Sequence, residues 1–240
     1  DRAETLFQLQ SEGQYVLATQ AKSFAEADSA TNKFAGSTVL DVANRMASEY
    51  NAFALPELTL IDEHVQLGRT VYFQDNQLIG YFNREQSRGY LAAVYTIRNG
   101  VMVLDIPDIG TISLKLENTS SKITADIVDD VPHFQIEVSC KAYISEINQD
   151  LRKKLSLDVY EKFETALNEK LKLQIESAVE QAVIRDSTDI FNFDVALQQQ
   201  QTEYWKVHRD SWAQELAKIK YTVNVTSSVD RVQQEASPAF

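Results

Sequence analysis

One stretch constrains this chain more than any other. From Asp158 to Arg185 the sequence keeps a helical repeat with no Gly or Pro to interrupt it. Val159, Tyr160, Phe163, Leu167, Leu171, Ile175, Ala178, Val179 and Ala182 recur at a three-to-four spacing that gathers them on one face. Glu161, Lys162, Glu164, Lys172, Glu176 and Glu180 fall opposite. Asp158 is the expected N-cap, with Glu161 at the capping-box position. A helix of this length runs about 40 Å and must lie along a broad apolar surface. The alternating segments just upstream, from about Val101 to Ile147, offer one, so the helix is expected to pack across an antiparallel sheet. A coiled-coil partner helix is the weaker reading, because no strict heptad repeat is sustained.

The strand signals come from alternation. Ile112, Leu114 and Leu116, then Ile123, Ala125 and Ile127, then Phe134, Ile136, Val138, Cys140, Ala142 and Ile144 each alternate with polar neighbours and predict three strands with one wet face. Before them, Val71, Tyr72 and Phe73 lead through Asp75-Asn76 into Leu78 to Phe82, a hairpin in which Gly80 marks a bulge or a close backbone approach. Asn83 with Gln86 forms a capping box for a short helix, and Asn99-Gly100 is a strong turn. Helical patterns occupy the Ala-rich stretch near Thr19 to Ala27 and again Ser37 to Asn51, with an extended piece from Leu58 to Leu60. Downstream of the long helix come an Asp- and Phe-rich connection, Asp186 to Leu197, and the glutamines Gln198 to Gln201, read as a helix edge or loop. A helix from about Thr202 to Lys218 carries Trp205 and Trp212 on one face, and Tyr221, Val223 and Val225 form a last strand. The fold class is therefore α+β, an antiparallel sheet packed against a long helix, preceded by the α-rich remnant of another α+β domain. The expected division is residues 1–66 as the end of that preceding domain and 67–240 as the main one.

Charge and composition exclude several function classes. A net charge of -12 opposes nucleic acid as a partner, because phosphate binding needs clustered Lys and Arg. No apolar run approaches the roughly 18 residues that span a bilayer, so the chain is expected to be soluble. The single cysteine, Cys140, falls on the apolar face of its strand, where a buried structural thiol is the expectation over a nucleophile. His64, His133 and His208 stand apart, without ligand spacing for zinc, and no metal or cofactor is expected. No nucleophile elbow and no glycine-rich phosphate loop occurs. Asp129-Asp130 reads as a solvated turn. Asp186, Asp189 and Asp194 could gather calcium, yet the loop lacks the calcium-loop pattern and its central glycine. The sequence is expected not to be an enzyme, although catalytic groups can converge from distant segments. No signal peptide and no initiating Met precede Asp1, so the chain is expected to be a trimmed form of a longer product.

Three segments carry a family likeness. Val71-Tyr72-Phe73-Gln74-Asp75-Asn76-Gln77-Leu78-Ile79-Gly80 resembles the strand, turn and hydrophobic-Gly return of the Ger(x)C family, the C subunits of spore nutrient germinant receptors. Thr188-Asp189-Ile190-Phe191-Asn192-Phe193 resembles its Asp-x-Phe-Gly-Phe-Gly segment, and Trp205 and Trp212 resemble its two spaced tryptophans. The likeness covers about 67–231. Asn192 and Asp194 stand where the family usually has Gly, and no Pro precedes Trp205; Asn and Asp best tolerate left-handed backbone after Gly, so the turn can survive.

The resemblance implies a non-catalytic lipoprotein on the outer face of the spore inner membrane, anchored through a lipidated N-terminal cysteine outside this sequence. It also implies two integral membrane partners, the A and B subunits of the receptor. Gly80, Asp189, Phe191, Phe193, Trp205 and Trp212 become its structural or interaction candidates. Two readings from other classes stay open: a small-ligand binder or hydrolase using the Asp186 to Asp194 loop, and a self-assembling envelope protein.

Overall fold

A computed structural model of the chain describes residues 39–47, 50–61, 64–97, 100–147 and 155–230. The helix expected near Thr19 to Ala27 and the Asn99 side of the Asn99-Gly100 turn lie outside the described residues. Helix α1, Val39–Met46, is followed by β1, Ala52–Ile61, β2, His64–Gln74, and β3, Gln77–Phe82. These strands form a three-stranded antiparallel sheet in the order β1-β2-β3. The β2–β3 hairpin turns at Asp75 and Asn76, both with positive φ, as a tight hairpin turn demands. β2 runs across residue 66, where the domain division was expected, and pairs with β1 on its N-terminal side.

Helix α2, Arg84–Val94, begins at Asn83, whose side chain accepts from the Gln86 amide while Gln86 answers with a bond from the Asn83 amide. A second sheet follows, with strands β4, Gly100–Ile106, β5, Gly110–Val128, and β6, Val131–Glu146, in antiparallel succession. The first two of the three strands read from alternation are one continuous β5. Its register with β6 slips between Leu116 and Asn118, and this bulge shifts the inward positions by one, so that the polar run there looked like a break. The β5–β6 turn uses Asp129 and Asp130 at positive φ.

The long helix α3 spans Leu157–Val179 and continues as a π-helical turn, Glu180–Arg185. Its N-cap is Ser156, without a side-chain cap bond, so Asp158 lies inside the first turn and contributes only its charge to the helix dipole. Phe163, Leu167, Leu171, Ile175, Ala178 and Val179 are buried. The helix contacts α2, β4 and β7. Helix α4, Phe193–Gln200, comes next. The expected tryptophan helix is broken in three: α5, Thr202–His208, a 3-10 turn at Arg209–Ser211, and α6, Trp212–Glu215.

Strand β7, Lys220–Asp230, closes the second sheet in the order β4-β5-β6-β7. It lies parallel to β6, whereas the other strand pairs are antiparallel. A parallel neighbour requires a long crossover, and the segment from α3 to α6 supplies it. Phe134, Ile136, Val138, Cys140, Ala142 and Ile144 of β6 face the core as the alternation predicted.

Candidate functional site

The Asp-Phe connection leaves the π-helical turn and enters α4 through Asn192, which holds φ 66 and ψ 32. That left-handed position is one where the family likeness placed Gly, and an Asn can occupy it. The turn carries Asp189 fully into the interior. There its Oδ1 accepts from the amides of Phe191 at 3.2 Å and Phe193 at 3.1 Å. Its Oδ2 accepts from the Asp194 amide at 2.7 Å and from the Trp212 indole Nε1 at 3.2 Å. One carboxylate thus organises the first turn of α4 and ties it to α6. Buried polar groups require such partners, and a charge-bearing acceptor makes the stronger bonds.

The aromatic candidates surround this hub. Phe193 stacks on Phe134 of β6 at 4.2 Å between ring centroids, and Trp212 meets the same ring edge-on at 6.3 Å. Phe191 meets Tyr90 of α2 edge-on at 5.4 Å. Trp205 packs edge-on against Trp212 at 5.7 Å, and its own indole N–H is buried with no hydrogen-bond partner among the described residues. All four rings are buried. Gly80 lies apart from them, opposite Tyr72 at a register shift in the β2–β3 pair. A Cβ there would run into the Tyr72 ring, so the missing side chain makes room for Tyr72. The Tyr72 hydroxyl donates in turn to Asp186, which also accepts from Gln181 at 3.1 Å.

Arg45 of α1 reaches the hub from the other side. Its Nε donates to the Ala52 carbonyl at 3.1 Å and its Nη2 to the Asp189 carbonyl at 3.2 Å. Its Nη1 stands 3.5 Å from each oxygen of Asp194. Those two contacts are long for a charge-assisted bond. Burial and the neighbouring Asp189 carboxylate therefore outweigh Arg45 and raise the Asp194 carboxyl to about 7. Tyr50 adds a further tie, donating to the Ser187 carbonyl at 2.8 Å. A cavity of about 250 Å³ opens beside this network, lined among others by Arg45, Tyr90, Tyr95 and Asn192.

Sequence reasoning singled out Asp189, Phe191, Phe193, Trp205 and Trp212, and the fold brings these five together; Gly80 is joined to them through Tyr72 and Asp186. It did not find Arg45, Tyr72 or Tyr50, whose partners lie more than a hundred residues away. Nor did it assign Gln200 and Gln201, which bond the backbone of β5 at Ile123 and Ala125. Cys140 is buried, and burial pushes its thiol up to about 12, which opposes thiolate chemistry. Among the described residues no group of three or more His, Cys, Asp or Glu converges as a metal site. The hub is built to hold a shape: each of the three loop aspartates is engaged by the chain's own donors.

Comparison with known proteins gives a consistent picture. The profile of the family described as spore germination B3/GerAC-like, C-terminal, matches residues 68–233. Among solved structures, one described as the crystal structure of the GerBC protein matches with a TM-score of 0.70 at 15% sequence identity. The match covers 79% of this chain and 60% of that one, so the chain spans less than two thirds of the GerBC structure. At that identity the likeness is one of fold. No curated protein sequence matches the chain.

Proposed function

The chain belongs to the spore germination B3/GerAC-like family, and from that membership we propose that it serves as the C subunit of a nutrient germinant receptor. The observation that carries the reading is the family match over most of the chain, from residue 68 to residue 233. In this reading the subunit is non-catalytic. It stands on the outer face of the spore inner membrane through a lipidated segment, and it supports receptor assembly or signalling beside the membrane-embedded A and B subunits. Residues 67–240 are its C-terminal domain, and residues 1–66 are the end of the domain before it.

The hub geometry supports a structural role for the signature residues. Asp189 spends both oxygens on four internal donors, and a carboxylate so occupied has little left to offer a substrate. Phe191, Phe193, Trp205 and Trp212 are packed around it, and Gly80 admits Tyr72, which reaches the same loop through Asp186. These residues are proposed to fix the domain's shape, and through it the surface offered to partners.

Germination of spores lacking the gene tests the reading, comparing a nutrient trigger with a trigger that bypasses the receptors, and complementing with the full-length lipoprotein. Loss of the nutrient response alone is the expected result. Survival of both responses, in a strain where no other receptor can substitute, would overturn it.

A further inference from the structure

The three-stranded sheet has one covered face and one open face. Ala52 and Ala54 of β1, Thr70 and Tyr72 of β2 and Phe82 of β3 are buried. They lie toward α2 and the Asp-Phe connection, as the Phe82 contact with Tyr90 and the bond from Tyr72 to Asp186 show. Residues that alternate with these take the opposite face. There Phe53 lies directly across from Phe73 and Phe73 from Leu78, while Leu55 lies across from Val71 and Val71 from Tyr81. These large apolar side chains form two rows that cross all three strands.

The described residues leave both rows open. Leu78 is 60% exposed and Tyr81 56%. Phe53, Leu55, Val71 and Phe73 are half-buried, yet none of them packs against the buried core. The Phe53 and Phe73 rings shield each other instead, stacked at 5.2 Å. The face ends in a matched pair, Arg69 with Glu57 at 2.9 Å, and the Arg69 guanidinium sits 3.8 Å over the Tyr81 ring. A contiguous apolar area rimmed by polar groups marks a contact surface. Helix α1 does not roof it, because Arg45 turns toward Asp194 and the Asp189 carbonyl on the covered side.

The chain carries a candidate cover of its own. Residues 1–38 precede α1, and the bond from Arg45 Nε to the Ala52 carbonyl fastens α1 to β1, an outer strand of this sheet. The helical pattern near Thr19 to Ala27 gathers Leu17, Ala21, Phe24 and Ala25 on one side and Thr19, Lys22, Ser23 and Glu26 on the other. Three strands measure about 10 Å from first to last, and a helix with its side chains is about 10–12 Å across, so one helix is wide enough for both rows. The connection from Phe24 to Val39 can extend about 50 Å, at about 3.3 Å per residue, which reaches any point of the face.

We propose that residues 1–38 cover the open face of the three-stranded sheet, with Leu17, Ala21, Phe24 and Ala25 laid against the two apolar rows. The sheet then gains a helix on its second side, and the apolar surface leaves water as it does beneath α3. A second copy is the poorer occupant. A tethered segment acts at an effective concentration on the order of millimolar, whereas two chains of net charge -12 repel each other. The inference concerns the chain's own packing and stands apart from the germination reading.

The test uses the whole chain with the photo-reactive residue p-benzoylphenylalanine in place of Leu78, an exposed position outside the hub. After illumination of a dilute sample, mass spectrometry should find the link within one chain, joining position 78 to a peptide from residues 1–38. Phe24→Asp should lower that yield about tenfold, since a carboxylate enters an apolar contact only at such a cost, and Leu17→Asp should do the same. Glu26→Gln, on the opposite side, should leave the yield unchanged. Emission from the buried Trp205 and Trp212 checks that each variant is folded. Links that fall only within residues 39–240 overturn the proposal, as does an absence of links. Links between two chains would assign the face to a second copy and overturn it equally. A yield that neither Asp variant lowers, or that Glu26→Gln lowers as much as they do, also overturns it.

Discussion

Asp189 is the residue on which the most donors depend. Asp189→Ala leaves three amides and an indole N–H buried without their acceptor. At about 1–3 kcal/mol for each stranded donor, less whatever water recovers, the loss should exceed about 4 kcal/mol. Urea denaturation reads it directly, and a loss under about 1 kcal/mol would mean that the loop is held by its aromatic packing instead. Asp194 gives a pH signature of opposite sense to the usual carboxylate. Its folded value of about 7 lies above the ordinary 3.8, so between these limits the folded state keeps a proton that the unfolded chain releases. Stability should therefore fall as pH rises through that window. Midpoints of urea unfolding across the window should flatten in Asp194→Asn; an unaltered slope would place its origin elsewhere. The sequence made Asp189 and its aromatic neighbours readable, because they sit close together in one segment and the tryptophans share a spacing. Arg45 left no trace, since its pairing with Asp194 spans 149 positions and no local pattern records it.

Between elements, α2 and α3 approach each other closely at Gly89. A Cβ on Gly89 would collide with the backbone carbonyl of Gln174, which cannot rotate away as a side chain can. Gly89→Ala is thus expected to destabilise the fold by about 1–3 kcal/mol or more, even though alanine is the better helix former. A neutral or stabilising result in chemical denaturation would show that the two helices can separate at no cost. Gly89 was unremarked in the sequence because a glycine within a helical pattern says nothing about which backbone crosses it. Element type was well signalled wherever one face is wet: the inward residues of β6 follow the alternation without exception from Phe134 to Ile144. Alternation carries no information on the direction of a neighbour, which is why the parallel placement of β7 could not be read. The π-helical turn after α3 was equally hidden. Its buried Ala182 and Val183 look like any other apolar pair, and the widened spacing shows in hydrogen bonds such as that from the Asp186 amide to the Gln181 carbonyl, which no sequence pattern records.

For the molecule as a whole, the net charge of -12 is a standing repulsion. Most ion pairs among the described residues are exposed and contribute about 0–1 kcal/mol each, too little to offset it. Raising sodium chloride from low to about physiological strength should therefore raise the thermal midpoint; a midpoint that falls would mean the surface pairs dominate. The parallel crossover bears on how such a chain is made. Synthesis is directional, and β6 emerges with one side bare while residues 147–219 are still being added. Once Arg185 has been added α3 is complete but its platform is one strand short, and the apolar stripe of β6 has a neighbour only in β5. A ribosome stalled anywhere in that interval holds a half-roofed sheet, the kind of intermediate that holdase chaperones recognise. Closure of this sheet by the last strand therefore cannot precede synthesis of the hub around Asp189.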